Sequence, residues 1–194
     1  MIWFREYKKW YEIDPRRIGD RRVYLTIKRA MDLGFVLAAL PFVLPVLALL
    51  IILIKLDSSG PAWFIQKRTG RGGKRFNMLK LRTMVQNAEE LKEKYMHLNE
   101  LEWPDFKITN DPRITRVGKF MRKTSLDELP QLFNILKGEM SLVGPRPTSF
   151  STQMYRIWHT RRLELKPGLT GLWQVVARNE SNFNERLRLD IAYM

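Results

Sequence analysis

Two adjacent carboxylates, Asp127 and Glu128, are the residues of this chain best suited to carry out chemistry. They follow Ser125, and Arg122 precedes them by about a turn and a half of helix. Free backbone amides at the start of a helix favour ionised carboxylates and also attract phosphate oxygens. A nucleophile, a metal ligand and an anion site could therefore lie within a few ångströms of one another. The alternative is ordinary helix capping by solvated acids.

A helix after this pair must position it. Apolar residues recur at helical spacing from Leu129 to Leu136, and Lys137-Gly138 predicts the end of the helix. Ser125 and Glu128 have the spacing of a capping box, whereas Pro130 would make Asp127 the cap. The start of the helix thus stays open between these two residues.

Further candidates for phosphate binding lie towards the C-terminus. Gly144-Pro145-Arg146-Pro147 predicts a stiff loop that presents Arg146, and an arginine fork binds phosphate through two parallel hydrogen bonds. The stretch from Lys166 to Gln174 predicts a rigid turn that leads into a strand, with Arg178 and Asp190 beyond it.

The composition excludes several classes of site. The 194 residues include 34 Lys and Arg against 20 Asp and Glu, so the formal charge is +14, and a polyanionic partner is expected. There is no cysteine, and the histidines are His97 and His159 alone, which excludes thiolate chemistry and argues against a histidine-rich metal site. Hard-metal chemistry on carboxylates remains open.

A membrane segment is predicted from Leu33 to Ile54, a run of 22 residues without a charged side chain. Basic residues outnumber acidic ones on both sides, so both flanks favour the cytoplasmic face. Pro41 and Pro45 each remove a helical hydrogen bond and favour a bend. We therefore predict a re-entrant helix that returns to the same face, a kinked single-pass helix being the alternative.

The rest of the chain indicates an α+β fold that is mainly helical. Residues 62–66 and 74–81 are predicted to form a β-hairpin around a basic loop, and residues 86–101 a helix. Aromatic and basic residues alternate near the N-terminus, which is typical of an interfacial helix. The predicted organisation is an interfacial segment over 1–27, the membrane helix over 28–56, and a catalytic domain over 57–194 that forms one structural unit with that helix.

Taken together, these motifs resemble the bacterial sugar transferases, the monotopic polyprenyl-phosphate phosphoglycosyl transferases. The resemblance covers roughly residues 28–194, and its motifs are found in one order along the chain. They are Lys28-Arg29 with Asp32, Lys80-Leu81-Arg82-Thr83-Met84, Ser125-Leu126-Asp127-Glu128-Leu129-Pro130-Gln131-Leu132, residues 138–147, Pro167-Gly168-Leu169-Thr170-Gly171 and Arg178-Asn179.

This resemblance implies transfer of a sugar phosphate from a UDP-sugar to a polyprenyl (undecaprenyl) phosphate, with release of UMP, at the cytoplasmic face of a bacterial inner membrane. By match, Asp127 is the nucleophile that forms a covalent intermediate, and Glu128 binds Mg²⁺. The remaining residues that the match implicates bind phosphate groups or complete the site: Arg122, Arg178, Lys80, Arg146 and Asp190. The implied pathway is assembly of an exopolysaccharide, O-antigen or capsule.

Two departures from the family pattern limit the match. Leu40 and Leu44 precede the prolines where relatives often have a small residue, so either proline could make the bend. The chain stops at Met194 where relatives usually continue, so we expect a C-terminal segment to be missing. The sugar, the prenyl length and the oligomeric state, a homodimer included, stay open.

Two other functions are also compatible with a strongly basic chain. A non-enzymatic adaptor would bind anionic membrane lipids through its +14 charge and leave the carboxylate pair as a helix cap. A nucleic-acid binder would need a basic face with stacking aromatics, and no recognition module of that kind is found in the sequence. Anionic lipid is therefore an expected partner and nucleic acid is not.

Overall fold

The computed structural model describes residues 21–100, 108–149, 157–177 and 182–194. Most of the predicted interfacial segment, residues 1–20, lies outside this range, and so does Arg178. The described chain divides into two compact units that interleave in sequence. The first comprises residues up to Ala38, Arg68–Phe76 and Ile135–Met194, and the second comprises Ala39–Lys67 and Asn77–Asn134.

The longest element is helix α1, Arg21–Asp57, which contains both prolines of the membrane segment. It begins seven residues before the predicted membrane domain and continues through Pro41 and Pro45 as one helix. It is long and apolar enough to cross a membrane. Large apolar side chains along it are exposed, among them Phe35, Phe42 and Leu56. That the segment enters a membrane and turns back stays a prediction.

The predicted β-hairpin is confirmed. Strands β1, Trp63–Thr69, and β2, Arg75–Leu81, form a two-stranded sheet. A short 3₁₀ turn, Arg71–Gly73, connects them, and Gly72 there has φ of +64°, a conformation that favours glycine. So short a connection requires antiparallel strands.

The helices that follow differ in part from the prediction. The helix expected over 86–101 is reduced to α2, Glu90–Lys94, followed by a 3₁₀ turn at Met96–Leu98. Because α2 buries none of its residues, packing does not extend it. Helix α3 is Arg116–Thr124, and α4 is Gln131–Lys137. Helix α4 ends as predicted, at Gly138, which has φ of +81°.

Towards the C-terminus the structure has a second sheet that the sequence does not predict. Strands β3, Ser141–Val143, and β4, Gly168–Thr170, pair in parallel, with Ser141 opposite Gly168. A 3₁₀ segment, Ile157–Glu164, lies between them. The turn predicted over residues 166–174 leads into helix α5, Leu172–Val176, so the strand predicted to follow it is wrong. Helix α6, Phe183–Ala192, is the last element, and a capping box at Asn182 starts it.

Each unit has its own buried apolar residues. In the second unit, Leu47, Leu50 and Ile54 of α1 pack with Leu81 and Met121. The mainly helical α+β fold that the sequence predicts is thus confirmed. The first unit buries residues from α1, α4 and α6 as well as the segment before β3, namely Val36, Ile135, Met140 and Leu187.

Candidate active site

Asp127 and Glu128 lie in a 3₁₀ turn, Leu126–Glu128, between α3 and α4. Ser125 precedes this turn in the left-handed conformation, with φ of +60°, where it terminates α3. Its side chain makes no capping hydrogen bond, so the predicted capping box is wrong. The two acids therefore do not start α4. The 3₁₀ turn that follows the left-handed Ser125 carries them instead. Asp127 is buried there, with 8% of its surface exposed.

Lys80, near the end of β2, is the cation closest to this pair among the described ion pairs. Its Nζ donates a hydrogen bond to Glu128 Oε1 at 2.7 Å and lies 3.8 Å from Asp127 Oδ2. All three side chains are largely withdrawn from solvent. One lysine therefore balances part of the charge of two neighbouring carboxylates.

The environment of Asp127 acts in both directions on its ionisation. Burial raises the pKa of this carboxyl above its ordinary value, and the positive charge of Lys80 opposes the rise. The nearby Glu128 carboxylate raises the pKa further, while Arg122 lowers it. Asp127 is thus a partly desolvated carboxylate whose negative charge depends on Lys80 and Arg122. Such perturbed groups are concentrated at functional sites.

Arg122 is held near the pair by Thr83. The Arg122 Nε donates to Thr83 Oγ1 at 2.9 Å. Helix α3 approaches this segment closely because Gly118 has no side chain, and a Cβ there would lie 2.1 Å from the Thr83 carbonyl oxygen. Sequence reasoning assigned no role to Thr83, although it lies in the same motif as Lys80.

Asn134 ties the strand that carries Lys80 to helix α4. It is fully buried, its Oδ1 accepts from the Leu79 amide at 3.0 Å, and its Nδ2 donates to the Asn77 carbonyl at 2.8 Å. One amide side chain therefore satisfies two backbone groups of β2. It holds Lys80 in register with the helix that follows the carboxylate pair.

Two other candidates, Arg146 and Asp190, belong to the first unit. Asp190 is buried beside Arg162, with Oδ2 2.7 Å from Nη2, and Arg162 also donates to the Arg146 carbonyl. Burial raises the pKa of Asp190 to about 7 despite the charge of Arg162. Asp190 is thus buried against Arg162, and its role in the site stays a prediction, as does that of Arg146.

The donor set fits a magnesium ion only in a minimal form. The described residues contain no cluster of three or more His, Cys, Asp or Glu side chains that could hold a metal. They do contain the adjacent carboxylates of Asp127 and Glu128. Mg²⁺ is commonly bound by one or two carboxylates together with substrate phosphates and water. This pair therefore fits a magnesium site that the substrate completes.

Residues 23–194 match the family model of the bacterial sugar transferases. The chain belongs to this family. It is 44% identical over 173 residues to the UDP-galactose-lipid carrier transferase of Erwinia amylovora. The matched region covers 87% of this chain and 36% of that protein. It is 44% identical over 173 residues to the undecaprenyl-phosphate galactose phosphotransferase of Salmonella typhimurium, with the same coverage of 87% and 36%.

A shorter relative is the exopolysaccharide production protein ExoY of Rhizobium meliloti. It is 38% identical over 172 residues, which make up 86% of this sugar transferase and 76% of ExoY. The chain spans about a third of the length of the first two relatives.

Proposed function

We propose that this chain transfers a sugar 1-phosphate from a UDP-sugar to a polyprenyl phosphate, undecaprenyl phosphate by the name of one relative, and releases UMP. The observation that supports it most is the buried Asp127 carboxylate beside Lys80, Glu128 and Arg122. A plain surface cap needs neither burial nor a shared lysine. The names of the relatives supply the substrate classes, a UDP-sugar and a lipid carrier.

The chemistry proposed for Asp127 has two steps. A carboxylate oxygen attacks the phosphorus that bears the sugar, a new P–O bond forms, and the bond from that phosphorus to the bridging oxygen breaks as UMP leaves with the electron pair. An oxygen of the polyprenyl phosphate then attacks the same phosphorus and expels the Asp127 carboxylate. The product is a polyprenyl diphosphate sugar, and the enzyme is restored.

Each neighbour has a proposed part in these steps. Lys80 keeps Asp127 ionised and positions Glu128, and Arg122 binds diphosphate oxygens, with Thr83 fixing the plane of the guanidinium. Arg178 is proposed as a second phosphate ligand on the family match alone. Glu128 would hold Mg²⁺, which when bound neutralises charge on the diphosphate.

The deciding experiment follows the fate of the sugar phosphate. Wild-type protein incubated with a panel of UDP-sugars labelled in the β-phosphate should release UMP and gain the mass of a sugar phosphate, in separable half-reactions. Asp127→Asn should do neither, because the amide lacks the nucleophilic anion. Glu128→Gln should lose metal-dependent activation, whereas Glu89→Gln, at an exposed ion pair with Lys92, should behave as wild type.

An adaptor that merely binds lipid would release no UMP with any UDP-sugar. Full activity of Asp127→Asn, or an adduct mapped to another residue, would overturn the assignment of the nucleophile. Because the adduct and the released UMP are measured separately, failure to find the right acceptor lipid would not hide the first step.

We also propose that α1 places this enzyme at the cytoplasmic face of a membrane, with both ends of its apolar segment on that face. Exposed Phe42 and Leu56 support contact with lipid, since such side chains are costly in water. Because the chain has no cysteine, single cysteines at Lys8 and Ser59 report topology directly. Labelling of both from the same side is expected, and labelling from opposite sides would contradict the re-entrant arrangement.

A further inference from the structure

A cavity of about 330 Å³ lies beside the N-terminal part of α1, and its lining comes entirely from the first unit. Four basic side chains and two acidic ones contribute to it: Lys28, Arg29, Arg71, Lys166, Asp32 and Glu164. No residue of the Asp127 site lines it. The cavity is thus predominantly cationic, and the chemistry proposed above does not use it.

Two of the four basic groups have structural partners. Lys28 Nζ donates to Ser141 Oγ at 2.6 Å and lies 3.7 Å from Asp32. Arg29 donates to the carbonyls of Ile135 and Leu136 at the end of α4, at 2.5 and 2.9 Å. These contacts fix the two cations in place at the cavity wall.

The other two, Arg71 and Lys166, make no side-chain hydrogen bond or ion pair within the residues that the structure describes. Lys166 comes close to Arg29, since a Cβ built on Gly138 would lie 3.5 Å from Lys166 Nζ and 3.6 Å from Arg29 Nη2. Burial lowers the pKa of Lys166, and the charges of Arg29 and Arg71 lower it further. The Asp32 carboxylate opposes this, but the four basic side chains of the cavity outnumber its two acidic ones, so a bound anion would offset the excess positive charge.

The position of the cavity along α1 indicates where such an anion comes from. Lys28, Arg29 and Asp32 immediately precede the uncharged run that starts at Leu33. If that run enters the bilayer as proposed, residues just before it lie at the level of the lipid headgroups. Basic pockets beside membrane helices at this level bind headgroup phosphates.

We propose that this cavity binds the headgroup of an anionic phospholipid, with Lys166 and Arg71 as the direct partners of its phosphate. At the same wall, the exposed Glu164 carboxylate can accept a hydrogen bond from a headgroup hydroxyl, such as those of phosphatidylglycerol, whereas the buried Asp32 already accepts from the Leu142 amide. Inorganic phosphate and prenyl phosphate carry no such hydroxyl-bearing headgroup. The inference rests on the membrane placement of α1 but not on the transferase chemistry.

The test measures lipid bound to the intact purified chain in detergent by native mass spectrometry, titrated with phosphatidylglycerol or phosphatidylcholine. We expect one phosphatidylglycerol to bind in preference to phosphatidylcholine. Lys166→Gln and Arg71→Gln should each weaken its binding at least fivefold, the factor that about 1 kcal/mol per basic residue near lipid phosphate implies. Lys166→Arg, which keeps the charge, should stay within twofold of wild type.

The matched control is Arg188→Gln, which removes an exposed positive charge of the same unit that does not line the cavity. It should leave the affinity unchanged. Equal affinities in Lys166→Gln, Arg71→Gln and Arg188→Gln would overturn the proposal. So would displacement of the phospholipid by millimolar inorganic phosphate, or tighter binding of undecaprenyl phosphate than of phosphatidylglycerol. None of these readouts requires turnover, so a failure here is distinguishable from a failure of the transferase assay.

Discussion

Replacement of Lys80 by glutamine should move the pH dependence of the first half-reaction towards higher pH. The lysine lies 3.8 Å from Asp127 Oδ2 and donates to Glu128, and its charge is the largest influence that lowers the pKa of Asp127. The nucleophile must be ionised to attack phosphorus. Without the cation, burial and the Glu128 charge raise the pKa unopposed by Lys80, so a higher pH is needed to ionise Asp127.

The size of this shift follows from the separation of the charges. Two unit charges 3.8 Å apart interact by about 4 kcal/mol at an effective dielectric constant of about 20. This attraction favours the ionised form of Asp127, and it is lost in Lys80→Gln. Water that enters the space left by the lysine will reduce the effect. We therefore expect the acid limb in Lys80→Gln to move to higher pH than in wild type.

The assay is single-turnover release of UMP, measured between pH 5 and pH 9 for wild type and Lys80→Gln. The midpoint of the acid limb reports ionisation, whereas the plateau at high pH reports any additional loss of phosphate binding. Lys92→Gln is the control, because Lys92 also pairs with a glutamate, at 3.6 Å, but on the surface. An unchanged midpoint in Lys80→Gln, with a lower plateau, would refute the role of Lys80 in ionisation.

Three further variants test the packing and the buried charges. Gly118→Ala would place a Cβ 2.1 Å from the Thr83 carbonyl oxygen, so we expect a loss of about 1–3 kcal/mol in the free energy of unfolding, measured by thermal melting in detergent. Gly34→Ala is the control, because a Cβ at Gly34 meets nothing within 4 Å, and it should cause no such loss. Arg113→Met should cost about 3–5 kcal/mol, because it leaves the buried Asp111 carboxylate without its partner at 2.7 Å. The pKa of Asp111 is lowered, chiefly by the hydrogen bond from Arg113, so the stability it contributes in wild type is present above about pH 4 and is lost as pH falls through the folded-state pKa; Arg113→Met should lose this acid dependence. The pKa of Asp190 is instead raised, to about 7, so the stability that Asp190 contributes is complete below about pH 4 and is lost as pH rises through 7. Asp190→Asn should therefore flatten the decline of melting temperature between about pH 4 and pH 7. A decline as steep as that of wild type would contradict this.

Local signals in the sequence predicted the features that depend on neighbouring residues alone. Gly138 ends α4 because the next turn needs a positive φ, which glycine adopts without steric cost. The hairpin strands follow from two short segments, 62–66 and 74–81, on either side of a glycine-rich loop. Both signals act within a few residues, so no knowledge of the tertiary fold is needed to interpret them.

Two of the errors lie where segments distant in sequence meet. Leu172–Val176 has strand-forming residues but is helical, and Arg186 of α6 packs its guanidinium 5.3 Å from the Trp173 ring. The pairing of β3 with β4 joins segments of three residues each, too short for a period to be recognised. Only the match to a family, and not any spacing, suggested that Lys80 would join Asp127 from 47 positions away.

The amide of Asn134 also has a consequence for how this molecule meets other chains. A two-stranded sheet leaves the outer edge of each strand available for pairing, and a strand from another molecule can add there and start aggregation. In β2, Asn134 occupies the Leu79 amide and the Asn77 carbonyl of that edge. The side chain takes the place of a third strand at these two groups, so a neighbouring polypeptide cannot pair with them. The hydrogen bond to Asn134 should slow hydrogen exchange of the Leu79 amide, although amides at the edge of a two-stranded sheet usually exchange fast.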